Sequence, residues 1–302
     1  MRYRPLGRLG MSVSTVSLRL TDDPAGRRPS DWETLIYAAL ENGINAFDVV
    51  GRHASIAEGL ASALASVERH LVFVAWRLGW STAPDGSPVR DFSPDGMESA
   101  VEAVLERAGL EYLDAAVLDE PGADEVTPEA LEALTAMRKA GRARMLGVSG
   151  HDDPVDAYIS SGAFDLLCTQ FSLISGWKER LRLKAAAERG MGVIGSGFYP
   201  EFFSGGPSPQ GDASKAYANH PLAGAGTYAF LKETPRWTAE QLCMAYVLTE
   251  PALASVQVEA DRPDHIEALA AVAERDLPAG VGAQFEMARF TPSALGDHLR
   301  KT

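Results

Sequence analysis

Short apolar runs alternate with amphipathic stretches along most of this chain. The runs fall at 16–20, 44–49, 71–78, 113–119, 143–149, 165–171, 192–196 and 254–258. Runs this short and this apolar predict parallel strands covered on both faces. Between them, apolar residues recur at helical spacing near 31–41, 55–67, 95–108, 128–140, 154–161, 178–189, 238–249 and 264–275. Start signals accompany these stretches. Ser30-Asp31-Trp32-Glu33 has the form of a capping box. Ser93-Pro94 and Thr127-Pro128 put a capping oxygen before a proline, and Asp152 or Asp153 stands ready to cap at Pro154. Gly109, Gly141, Gly162 and Gly190 mark helix ends that call for a left-handed residue. Residues 2–14, with Leu6-Gly7-Arg8-Leu9-Gly10 at their centre, predict a β-hairpin.

Eight strands alternating with eight helices predict an α/β fold, a single (β/α)8 TIM barrel over residues 1–302. An open doubly wound sheet is the rival and fits eight regular units less well. The segment 197–236 follows the seventh strand and is rich in Gly, Pro, Ser and aromatics. It predicts a long loop at the C-terminal mouth, where barrels build their active sites. Composition changes this picture little: 46% hydrophobic, 23% charged, with no biased tract. The net charge of −13, without a basic run, argues against nucleic acid or an anionic membrane surface as partner. No apolar segment reaches the ~20 residues of a membrane span. The first residues lack the apolar stretch of a secretory signal, so a cytoplasmic location is expected. Cys168 and Cys243, each in an apolar run, are expected to be buried free thiols.

Four segments resemble the aldo-keto reductase family, in order and over nearly the whole chain. Tyr3-Arg4-Pro5-Leu6-Gly7-Arg8 with Val13-Ser14 is similar to its opening hairpin. Asn42-Gly43-Ile44-Asn45-Ala46-Phe47-Asp48 is similar to its second-strand motif. The run 141–149 resembles the approach to the fifth strand, and Gly192-Val193-Ile194 the start of the seventh. The resemblance implies reduction of a carbonyl by a nicotinamide cofactor, with a Tyr as acid, Lys and His tuning it, and an Asp paired to the Lys. Here Asp48 keeps the Asp, but His53 takes the Tyr position, Arg77 the Lys and Asp119 the His. A guanidinium stays charged and moves no proton.

The implied NADP(H) positions depart as well. Ser149 is kept and is followed by Gly150 instead of Asn. Cys168 aligns with the amide-binding Gln; Gln170 is offset, and strand alternation is expected to turn it to the opposite side. Ser196 replaces the stacking aromatic. The phosphate cradle reads Val258-Glu259-Ala260-Asp261, with Arg262 one residue off as a substitute.

Asp48, His53, Arg77 and Asp119 are therefore expected to meet at the mouth. An imidazole beside a carboxylate is acid–base machinery, and a guanidinium fork can hold developing negative charge. The favoured reading is a cofactor-independent acid/base enzyme, a lyase, dehydratase, isomerase or cyclase on a small organic molecule, of the kind found in secondary metabolism. A divergent NAD(P)H-dependent reductase with His53 as proton donor is the first alternative. A non-catalytic ligand-binding barrel, with Arg77 merely salt-bridged to Asp48 and Asp119, is the second. No metal is favoured: Asp48, His53 and Asp119, with His151-Asp152-Asp153 nearby, offer ligands, but Arg77 repels a cation. Trp76, Trp80, Cys168, Phe198, Tyr199, Phe202 and Phe203 are expected around the substrate, with Glu120, His151 and Glu201 at its rim. His70, His220, His265 and His298 carry no spacing argument and are expected at the surface. Sequence leaves the oligomeric state open.

Overall fold

The computed structural model describes residues 1–23, 26–83, 85, 87–200 and 230–287. The chain opens with the expected hairpin, β1 (Tyr3–Leu6) and β2 (Met11–Ser14), joined by a 3-10 turn over Gly7–Leu9. Three parallel strands follow, β3 (Val16–Thr21), β4 (Ala46–Val50) and β5 (Phe73–Leu78). A second, unexpected hairpin comes next, β6 (Trp80–Thr82) and β7 (Pro88–Arg90). Then come β8 (Leu113–Leu118), β9 (Ala143–Ser149), β10 (Leu166–Gln170), β11 (Gly192–Ser196) and β12 (Ser255–Val258). The eight parallel strands close in chain order, with β12 pairing back onto β3, as a (β/α)8 TIM barrel.

The helices are α1 (Pro29–Glu41), α2 (Ala54–Leu64), α3 (Pro94–Ala108), α4 (Pro128–Lys139), α5 (Pro154–Ser161) and α6 (Trp177–Glu188). A single turn α7 (Phe230–Glu233), then α8 (Ala239–Val247) and α9 (Pro263–Ala270), follow among the described residues. Ser93 and Thr127 cap as expected, accepting from the N–H groups of Gly96 and Ala130. All four expected glycines have positive φ. Two caps differ. Helix α1 starts earlier, at Pro29, because a proline suits the first position, and Asp31 Oδ2 accepts from the Arg28 N–H at 3.0 Å. Asp153 precedes α5 without capping it; its carboxylate pairs with Lys178 instead.

Strand alternation sorts the core into two. Outward residues such as Val16, Leu18, Phe47, Val49, Val74 and Trp76 pack beneath the helices. Inward residues Ala46, Phe73, Ala75, Ala115, Val117, Met145, Leu166, Cys168 and Ile194 fill the barrel, with Leu6 and Val13 of the first hairpin plugging its lower end. The plug fits closely. Gly7 has φ +59°, and a Cβ there would lie 2.5 Å from the Gly192 nitrogen, so only glycine joins the hairpin to the strand floor. Residues 201–229, the bulk of the expected long loop, with Glu201, Phe202, Phe203 and His220, lie outside the described residues, as does His298.

Candidate active site

The inward face of the strands that places Ala46, Ala75 and Val117 in the barrel also turns Asp48, Arg77 and Asp119 toward its upper end. There the three side chains meet. Arg77 Nε donates to Asp48 Oδ1 at 3.0 Å and its Nη2 to Asp48 Oδ2 at 2.7 Å, while Nη1 reaches Asp119 Oδ1 at 3.3 Å. Asp48 is 1% exposed, and the Gln257 amide nitrogen on β12 holds its Oδ2 from the other side. Burial alone would lower the Arg77 pKa. Asp48, supported by Asp119, outweighs that and raises it above the ordinary arginine value. Arg77 is thus a fixed cation between two carboxylates, not a free clamp for substrate.

Asp119 differs from Asp48 in facing outward space. Its Oδ1 also accepts from the Ser149 hydroxyl at 3.2 Å, and its Oδ2 from Trp80 Nε1 at 2.9 Å. Trp80 sits on the β6–β7 hairpin, which Arg90 ties down. The Arg90 guanidinium donates to the carbonyls of Asp119 and Glu120 and to Glu125, and stacks on Trp80 and Phe92 at 4.7 Å. One hairpin therefore fixes one oxygen of Asp119.

His53 is the residue just before α2. Asp22 Oδ1, after β3, accepts from the backbone N–H groups of Arg52 and His53 at 3.0 Å, and holds that loop in place. Gly51 permits the approach, since a Cβ there would sit 2.8 Å from Asp22 Oδ1. The imidazole is exposed and, among the described residues, makes no hydrogen bond or ion pair. It lines a cavity of about 820 Å³ together with Asp119, Arg77, Trp76 and Trp80. The expected four-residue cluster is thus three bonded side chains and one that shares their cavity without touching them by hydrogen bond.

The other expected pocket residues lie elsewhere. Cys168 is 2% exposed inside the barrel, and burial pushes its thiol up to about 12 against the pull of Arg77. Phe198 is buried in the outer core, and Tyr199 packs against that core. Glu120 and His151 are exposed partners, with His151 Nδ1 3.3 Å from Glu120 Oε1. Of the expected surface histidines, His265 is half-buried against Glu240 at 3.1 Å, while His70 is exposed. Both cysteines are buried and free. Among the described residues no three His, Cys, Asp or Glu side chains are grouped as a metal site, and no helix is long and apolar enough to cross a membrane.

The expected cofactor positions divide. Ser149 Oγ is already engaged, donating to Asp119 and accepting from the Glu120 N–H at 2.9 Å. Gln170 corrects the alternation argument: two residues beyond Cys168, it shares the same inward face and is exposed at the mouth. Ser196 is its register partner on β11. Arg262 points away to Asp264 at 3.2 Å. At the edge between β3 and β12, a cavity of about 350 Å³ is lined by Asp22, Asp23, Glu259 and Asp261 against Arg19 and Arg27. Arg19 pairs with Glu259 at 3.3 Å and Arg27 with Asp23 at 2.8 Å. This carboxylate-rich edge does not fit a dinucleotide phosphate.

Four contributors escaped the sequence reading: Arg90, Asp22, Gln257 and Arg19. Gln257 had a signal, an amide between two valines in a short buried strand.

The fold is shared with solved structures. The aldo-keto reductase AKR11C1 from Bacillus halodurans superposes in its holo form with a TM-score of 0.79 at 21% identity, over 95% of this chain and 96% of that one. Its apo form gives 0.73 at 20% identity over the same shares. PA4992 from Pseudomonas aeruginosa gives 0.64 at 20% identity, over 90% of this chain and 93% of that one. At these identities the likeness speaks for the fold alone. The sequence model described as Aldo/keto reductase family matches residues 19–288, and the chain belongs to that family.

Proposed function

We propose that the protein is a redox-neutral acid/base enzyme acting on a small organic molecule, with His53 as the mobile proton carrier and Asp119 as the fixed carboxylate. The observation that carries this reading is the engagement of Arg77. The residue at the family's lysine position is locked by Asp48 and Asp119 and moves no proton. Meanwhile a free imidazole and a carboxylate share one cavity. That pair suits removal of a proton beside an activating group and its return elsewhere, as in isomerisation, β-elimination or ring closure. Trp76 and Trp80 give the cavity an aromatic wall for a flat substrate. The carboxylates at the β3–β12 edge support a reaction without a nicotinamide cofactor. Two buried free thiols support a reducing, cytoplasmic setting.

A second reading has one observation in its favour. Gln170 stands exposed at the mouth on the inward face, where it has access to a nicotinamide amide, and the barrel superposes well on a holo aldo-keto reductase. Calorimetric titration with NADPH and NADH separates the two. No heat up to millimolar cofactor is expected; micromolar binding would replace the first reading with a reductase in which His53 is the donor. The positive test is a panel of carbonyl compounds in D2O followed by NMR. Deuterium uptake that disappears in His53→Asn is expected, and uptake unchanged in that variant refutes the role of His53. Binding of panel compounds without exchange or turnover by the wild type would leave a ligand-binding barrel.

A further inference from the structure

The interior wall formed by β3 and β12 carries buried polar atoms that find no partner among the described residues. They are Ser17 Oγ, Ser255 Oγ, Gln257 Oε1 and the Nε of Arg19. Ser17 and Ser255 are 1% exposed and Gln257 is 3% exposed. Their neighbours Val16, Leu18, Val256 and Val258 pack in the outer core, so alternation turns all four polar residues into the barrel. They form a file. Ser17 and Gln257 are register partners; Ser255 lies one inward step below, and Arg19, the register partner of Asp48, one step above. At ~3.3 Å per residue the file spans about 13 Å, from the barrel interior to the mouth. The inward neighbour Ala46 is small, while Ile194, the register partner of Ser255, is the bulkier neighbour at the lower end.

We propose that this wall binds a file of ordered water molecules inside the barrel. The chemistry of the atoms selects the occupant. Two hydroxyls both donate and accept, the amide oxygen only accepts and the guanidine nitrogen only donates. Such a mixture suits water better than a cation or an anion, and native interiors seldom leave buried polar atoms dry. The consequence reaches the active site. Gln257 turns its amide nitrogen to Asp48 Oδ2, which forces its oxygen toward the file, where a water supplies the missing donor. The waters thus fix the amide that holds Asp48 in line with Arg77.

The inference is independent of the reaction, and so is its test. Ser17→Ala and Ser255→Ala are made in the full-length protein and melted by calorimetry. A hydrated hydroxyl contributes hydrogen bonds, so each variant is expected to lose about 1–3 °C in Tm. A dry, orphaned hydroxyl only destabilises, so an unchanged or raised Tm in both overturns the proposal. A high-resolution crystal structure of the wild type is the second measurement, and it stands even if the variants fail to fold. Water density within hydrogen-bonding distance of Ser17 Oγ, Ser255 Oγ and Gln257 Oε1 is expected; a dry wall overturns the proposal.

Discussion

Replacing Arg77 by Met is the most direct test of how the mouth is built. The variant keeps most of the side-chain volume and removes the guanidinium bonded to Asp48. Among the described residues, Asp48 is then a carboxylate at 1% exposure held by the Gln257 amide alone. Breaking a buried pair by removing one partner costs about 3–5 kcal/mol. For a protein of this size each kcal/mol shifts the melting temperature by roughly 2 °C, so a fall of about 6–10 °C is expected by calorimetry. The double variant Asp48→Asn/Arg77→Met removes both charges and keeps an acceptor for Gln257. It is expected to recover at least about 2 kcal/mol, the coupling a buried pair shows in a double-mutant cycle. Arg77→Lys falls between, because one ammonium cannot fork onto Asp48 and Asp119 together. An Arg77→Met protein within about 1 kcal/mol of wild type, or a double variant with no recovery, refutes the claim that Arg77 is an internal counter-ion.

Other consequences are as concrete. His53→Asn leaves Tm within about 1 °C, as expected for an exposed side chain, and lowers solvent exchange into a responsive substrate at least ~100-fold. Neither cysteine of the native protein reacts with a disulfide reagent at pH 8, and both react in guanidinium chloride. Because burial pushes the folded Cys168 thiol up to about 12, its contribution is fully present below the unfolded thiol pKa of ~8.5 and is lost as the pH rises through the folded value. Cys168→Ala is expected to escape that alkaline loss in pH-dependent melts. Gly7→Ala forces φ +59° on an alanine against the Gly192 backbone and is expected to cost about 2 kcal/mol or more in chemical denaturation. Arg90→Ala frees the β6–β7 hairpin, which acrylamide quenching reports as greater exposure of Trp80.

Which parts of this were legible in the chain follows from parity and register. Parity is written in one strand at a time. Asp48 falls an even number of residues from inward Ala46, Arg77 from Ala75 and Asp119 from Val117, so their shared face was readable. Counting the same parity from Cys168 also brings Gln170 inward, against the opposite reading. Register is set between strands by closure of the barrel, and no single strand carries it. Ala75 lies beside Asp48 in the sheet, so Arg77, one inward step higher, reaches back to Asp48 and is spent there instead of waiting for substrate. The β6–β7 hairpin was illegible for a different reason. Strands of three residues carry too few positions for an alternation to show, and what orders them is Arg90, whose partners include the backbone carbonyls of Asp119 and Glu120, which no side-chain pattern encodes. The consequence bears on chemistry. The residue types at Arg77 and Asp119 alone predict a clamp and a base, whereas register turns the clamp into a counter-ion, which is why the proposed proton carrier is the exposed His53.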